Sequence, residues 1–246
     1  LNFEGHYYLD VDGRITVAGT EAEPVLFTAT DHTNGWAGVR VMENWNTNVF
    51  NNAIFEYGRA LAPYVPPYNG PDREGAGMFV QNSRVTVDGC LFRYNKATSH
   101  GSALSMVPSS SADLLVQNSV FKWNETVGNC AGYGAVCLYA DVTTNVSIRI
   151  LGCEIAYNTA RDEGAGISYW MPPAMPDAGA LLIANNVIYS NTCYGTWAPG
   201  SSAAGCFVGA GRVVNNVFYG YVLASGASGS SKCQVWFDGS GSDFRN

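Results

Sequence analysis

The sequence predicts an all-β fold, a single-domain right-handed parallel β-helix whose rungs take about 30 residues each, with long variable loops. Three observations carry that expectation: a recurring apolar motif, a composition that disfavours helices, and a second glycine-led element following each copy of the first. Charged residues make up only 13% of the chain and hydrophobic residues 47%, while Gly alone accounts for 28 positions. A charged fraction about half that of an ordinary soluble domain leaves room for Gly, Asn, Ser and Thr. These make turns more readily than helices. The abundance of Val, Ile, Leu and aromatic residues argues against a disordered chain.

The motif occurs in segments 49–57, 87–95, 116–124, 150–158, 183–191 and 213–221. Each places a large apolar anchor five residues after another apolar residue, the anchors being Ile54, Phe92, Phe121, Ile155, Ile188 and Phe218. In four copies an Asn follows three residues later, at Asn95, Asn124, Asn158 and Asn191. The glycine-led element occupies 75–80, 101–106, 134–139 and 164–169, with a degenerate copy at 204–208. Small residues followed by β-formers suggest a tight corner feeding a short strand. A third strand fits 114–116, 146–150 and 181–183, running into the next anchor.

Strands that keep their order while loops vary imply stacked coils, each about 4.8 Å above the last. Stacking would place Phe92, Phe121, Ile155, Ile188 and Phe218 in one internal apolar ladder. Asn95, Asn124, Asn158 and Asn191 would form an amide ladder at a corner. A β-sandwich also has many short strands, but it does not predict one motif recurring every thirty-odd residues. The chain divides into N-terminal coils over 1–48, repeat rungs over 49–223, and a Gly/Ser-rich loop with a possible last strand over 224–246.

A net charge of −7 and the absence of any basic run exclude nucleic acid as an expected partner. No stretch of eighteen apolar residues suggests insertion into a membrane. The seven cysteines contain no CxxC pair, so zinc is not expected, and the sequence points to an oxidising compartment. Cys130, Cys193 and Cys206 are the disulfide candidates. Cys90 and Cys153 share one slot two rungs apart, about 9.6 Å at the strand spacing, too far to bridge. Two sequons begin at Asn124 and Asn145. The amide ladder would close Asn124 to a glycan, which leaves Asn145 as the expected glycosylation site. Starting at Leu1 without Met, the chain reads as a mature or trimmed product.

The pattern of Phe92 with Asn95 and Phe121 with Asn124 resembles the FxxN element of the polymorphic outer membrane protein repeats. Segments 101–104 and 164–167 are similar to that family's Gly-Gly-Ala-aliphatic element. The resemblance spans roughly residues 51–221 and implies a β-helix of the adhesin type, either a passenger fragment of a membrane barrel or a different secreted relative. Segments 13–20, 23–28 and 36–39 resemble the opening coil of bacterial and algal β-helix surface proteins.

For chemistry, the best cluster lies just before the glycine-led corners. Asp72, Arg73 and Glu74 precede Gly75, His100 precedes Gly101, and Arg161, Asp162 and Glu163 precede Gly164. Stacking would align them along one edge. Two carboxylates could serve a hydrolase, and a base with a charge neutraliser could serve a lyase. Asp72, Glu74, Asp162 and Glu163 are also the weak Ca²⁺ candidates, Ca²⁺ being the only cofactor the pattern suggests. The alternative is a solvated corner where charge is cheap. Tyr169, Trp170 and Trp197 are candidate binding aromatics, able to stack on a sugar or a partner protein.

The leading expectation is therefore a non-catalytic extracellular protein, adhesin-like or structural, at a cell surface or in a filament. Its partners would be an extracellular protein or a glycan, with end-to-end self-association as a further contact. The alternative is a secreted carbohydrate-active enzyme, a polysaccharide lyase or glycoside hydrolase, working through the acidic edge.

Overall fold

The computed structural model describes residues 1–63, 70–128, 133–139, 146–161, 163–170, 181–194, 202–209, 211–223, 233–238 and 242–245. Among these residues every regular element is a strand. All strand pairings are parallel, and each strand pairs with its equivalent in the coil before and the coil after, so the chain is a parallel β-solenoid.

One coil shows the plan. The glycine-led strand Met78–Gln81 leads to Arg84–Asp88, then to the anchor strand Leu91–Arg93, then to the two-residue strand Lys96–Ala97. Four sheets result, of eight, eight, eight and six strands: a glycine-led sheet, a feeder sheet, an anchor sheet and a short corner sheet. Three strands per coil were expected. The fourth escapes a pattern search because two residues cannot display an alternation.

Alternation explains how the core closes. Along Ala112–Gln117 buried and half-buried residues alternate strictly, as a strand with one covered face requires. Inward residues of three sheets meet in one apolar cluster. Its spine is a column of rings in which Phe27, Phe55, Phe92 and Phe121 stack at 4.9, 4.6 and 4.9 Å between centroids. Register carries the column on through Ile155 and Ile188 to the half-buried Phe218. Buried Trp36 extends it in the other direction, lying between Phe3 and Phe27 and donating its indole N–H to Glu56 O at 2.8 Å.

The first anchor is a correction. Phe92 pairs with Phe55, not with Ile54, and Val87 pairs with Phe50, not with Val49. Each site offers two adjacent apolar residues, so the sequence admits a one-residue slip that would swap the faces. This coil also lacks the Asn that marks the others, since Gly58 occupies that slot and donates its N–H to Asn95 Oδ1 at 2.8 Å.

The amide ladder forms as expected. Asn95, Asn124, Asn158 and Asn191 are buried, and each Oδ1 accepts the backbone N–H of the equivalent residue one coil earlier. Their Nδ2 groups donate to carbonyls of the preceding coil, those of Phe55, Phe92, Phe121 and Ile155. A second column runs through Cys90, Ser119, Cys153, Asn186 and Asn216, again with side chain accepting from backbone. Burial pushes the Cys90 and Cys153 thiols up to about 11 and about 12, so they are inert packing residues.

No disulfide is present among the described residues. Cys193 packs with Ala160 and Ala165, while Cys206 belongs to the glycine-led sheet and meets Glu163. The two candidates are thus held in different environments, and Cys130 lies outside the described residues. Asn124 is 1% exposed with its amide fully engaged, while Asn145 lies outside the described residues.

Two outcomes test this account. Asn124→Ala orphans the Asn95 N–H and the Phe92 carbonyl and should cost about 2–4 kcal/mol in chemical denaturation. A loss below about 0.5 kcal/mol would mean the ladder is ornamental. Phe55→Ala should cost about 3–5 kcal/mol and Ile54→Ala clearly less; the reverse order would restore the slipped register.

Candidate functional site

Two edges of the solenoid concentrate polar or aromatic side chains. The first is the row before the glycine-led corners. Gly75, Gly101 and Gly164 take φ of +58°, +55° and +53°, and a Cβ at Gly75 would meet Met78 O at 2.4 Å. The chain doubles back tightly there, and only glycine fits. The return lays the preceding residues over the outer face of the glycine-led sheet. Register then stacks Glu74, His100, Tyr133 and Glu163 in consecutive coils.

The alignment was expected, but at Glu74 and His100 the environment is not a solvated corner. Glu74 is 0% exposed and His100 is buried. Glu74 Oε2 accepts from Ser105 Oγ at 3.2 Å, and Glu163 Oε2 meets Cys206 Sγ at the same distance in the equivalent relation three coils on. Ser99 Oγ lies 2.9 Å from His100 Nδ1, and the His100 and Tyr133 rings are 4.8 Å apart. Beneath the row Ser105, Cys137, Ser168 and Cys206 form a buried column.

Burial raises the Glu74 carboxyl to about 8, against the Ser105 hydrogen bond that favours ionisation. Burial alone lowers His100 to about 3. The Cys137 thiol is pushed up by burial and further by Glu74. Near neutral pH, Glu74 is predominantly a protonated acid and His100 a neutral ring.

The remaining expected members disperse. Asp72 is on the surface, paired with Arg40 at 2.5 Å. Arg73 accepts the Ser99 N–H on its carbonyl, Arg161 is exposed, and Asp162 lies outside the described residues. Glu74 and Glu163 are three coils apart, about 14 Å at the strand spacing. Glycoside hydrolases hold their carboxyl pair within about 5–9.5 Å. Glu74 and Glu163 are therefore too far apart to act together as a hydrolase pair.

The second edge is aromatic. At the corner between the anchor and short sheets, Tyr57, Tyr94, Trp123 and Tyr157 occupy one slot in four consecutive coils, with φ of +59°, +57°, +56° and +57°. Ser190 and Gly220 fill the same slot in the next two coils, also at positive φ. The rings form an outer ladder, Tyr57–Tyr94 at 5.5 Å, Tyr94–Trp123 at 5.4 Å and Trp123–Tyr157 at 6.1 Å, all within 14° of parallel. Tyr189 and Tyr219 continue it from the neighbouring slot, stacked at 4.8 Å. Trp123 is 46% exposed, and Tyr94, Tyr157 and Tyr219 are comparably open. Charged pairs flank the ladder: Arg93 with Glu56, Lys122 with Glu154 and Lys96 with Glu125.

The contrast with the previous corner is informative. There, between feeder and anchor sheets, the positive-φ slot holds Asn52, Gly89, Asn118, Gly152, Asn185 and Asn215. Those residues adopt the left-handed region cheaply, whereas bulky aromatics do not. The aromatic corner thus holds strain that a simple turn would avoid.

Of the expected binding aromatics, Tyr169 is buried, its hydroxyl donating to Gly209 O at 3.3 Å, because it falls on the inward side of its strand. Trp170, the next residue, is exposed and stacks on Tyr139 at 5.2 Å. Trp197 lies outside the described residues. Among the described residues no group of three His, Cys, Asp or Glu could hold a metal ion. No family model, no curated protein and no solved structure matches the chain.

The buried pair sets a pH profile. Glu74, raised from 4.5, stabilises the fold fully below pH 4.5 and loses that contribution as pH climbs toward 8. His100, lowered from 6.5, stabilises fully above pH 6.5 and loses its contribution as pH falls toward 3. Between 4.5 and 6.5 the two slopes cancel, leaving a plateau with a fall on either side. Thermal unfolding should show Glu74→Gln flattening the alkaline fall. An unchanged slope would remove Glu74 as its source.

Proposed function

We propose that this chain is a non-catalytic, extracellular surface scaffold of the adhesin type, whose aromatic corner is its gripping surface. The observation that carries the reading is the strained ladder of Tyr57, Tyr94, Trp123 and Tyr157, exposed at its last three rings. A left-handed backbone at a non-Gly residue costs about 1–3 kcal/mol. Ring stacking returns about 0.5–1.5 kcal/mol per pair. Ser190 and Gly220 occupy the same slot, so nothing in the turn itself demands a ring. Retaining large aromatics there, open to solvent, serves contact with something outside the chain.

The repeat's likeness to the FxxN and Gly-Gly-Ala-aliphatic elements of outer membrane adhesin repeats supports the same reading. A solenoid offers such a surface at fixed spacing over many coils, which suits a partner that is itself extended. The enzymatic alternative loses support from the buried state of Glu74 and from the three-coil gap to Glu163.

The triple variant Tyr94→Asn, Trp123→Asn and Tyr157→Asn separates grip from architecture, since Asn accepts positive φ. Its unfolding free energy should match or exceed that of the parent, while coated beads lose retention on cellulose, chitin and collagen surfaces. A variant that holds as firmly as the parent would refute the aromatic corner. Shortened polysaccharide in the same incubations would refute the non-catalytic reading.

A further inference from the structure

A third surface feature lies away from both edges, on the open face of the feeder sheet. Trp45, in the turn entering the strand Asn48–Asn51, stands at one end of a cleft of about 530 Å³ completed by Ser111, Ala112, Asp113, Val146 and Ser147. That volume falls within the range of small-ligand sites. The Trp45 ring is 42% exposed, and the Arg84 guanidinium sits 5.8 Å from its centroid. Register stacks Arg84, Asp113 and Ser147 in consecutive coils, so the cleft runs along the solenoid axis.

The charges here are arranged unevenly. Asp113 is shared by two guanidiniums, Arg84 Nε at 3.3 Å and Arg149 Nη2 at 3.4 Å. Both contacts are long for a charge-assisted hydrogen bond, which prefers about 2.7–2.9 Å. Arg149 Nε is also buried without a hydrogen-bond partner. One carboxylate between two guanidiniums leaves this patch net positive on a chain of net charge −7.

We infer that this cleft binds a uronic-acid-bearing oligosaccharide laid along the axis. The Trp45 ring supplies the apolar platform for a sugar face, Ser111 and Ser147 offer hydroxyl partners, and Arg84 and Arg149, outside the lining but held against it through Asp113, take the sugar carboxylates. A neutral sugar would leave the surplus guanidinium charge unused. A protein or nucleic acid partner would need a broader patch than this cleft provides. The inference goes beyond the aromatic corner and uses none of its residues.

Isothermal titration with hexagalacturonate, and with cellohexaose as the neutral control, tests it. Hexagalacturonate should bind, more weakly as salt is raised, and cellohexaose should not. Trp45→Ala and Arg84→Gln should each weaken binding about tenfold. Asp113→Asn is the decisive variant, because it removes the competing carboxylate and should tighten hexagalacturonate binding several-fold. Circular dichroism confirms that each variant keeps its fold. The aromatic-corner triple variant should bind hexagalacturonate like the parent, so the two surfaces fail or stand separately. Absent binding, equal binding of cellohexaose, or weaker binding by Asp113→Asn would each overturn the inference.

Discussion

Everything in this molecule depends on the fixed hydrogen-bonded spacing between successive coils. Parallel pairing brings each residue's equivalent to about 4.8 Å, so a side chain's nearest neighbour is usually its own counterpart. Like must then tolerate like. Rings stack on rings, amides chain to amides, and small residues share slots, as Phe55 with Phe92 and Asn95 with Asn124 illustrate. Like charges directly opposite repel, which explains why the chain carries so few. Where cations do fall in adjacent coils, each finds an acceptor: Arg93 and Lys122 turn to Glu56 and Glu154, while Lys96 turns to Glu125 and Arg59 donates to the His32 and Tyr94 carbonyls.

That constraint also decided what was legible before the coordinates. The anchors and the amide ladder could be read because stacking imposes the same residue type at each return. The register of the first repeat rung could not, because Ile54 and Phe55 are equally apolar and Gly58 omits the marker Asn. The strands of the short corner sheet, such as Lys96–Ala97 and Thr159–Ala160, are too brief to leave a pattern. They exist because backbone partners above and below hold them, not because their residues favour β structure.

The surfaces were legible in alignment but not in environment. Glu74, His100 and Glu163 share a place before glycine, which the sequence displays. The burial of Glu74 and His100 arises from the reversal at Gly75 and its equivalents, a matter of φ that composition does not encode. The strain under Tyr94 and Trp123 is hidden for the same reason, although Ser190 and Gly220 in the equivalent slot were a readable hint. Trp45 and its cleft escaped notice because they are not repeated, and a search keyed to periodicity passes over a single event.

The axial direction of the inter-coil hydrogen bonds has a mechanical consequence. A pull along the axis loads the bonds between two coils directly and opens them one coil at a time, as in a zipper. The 29 residues from Phe92 to Phe121 make one such coil. Released, they extend to roughly 100 Å at about 3.3–3.6 Å per residue, in place of a rise of about 4.8 Å. A solenoid built this way answers sudden tension by lengthening in discrete steps, and each step dissipates work as heat rather than storing it.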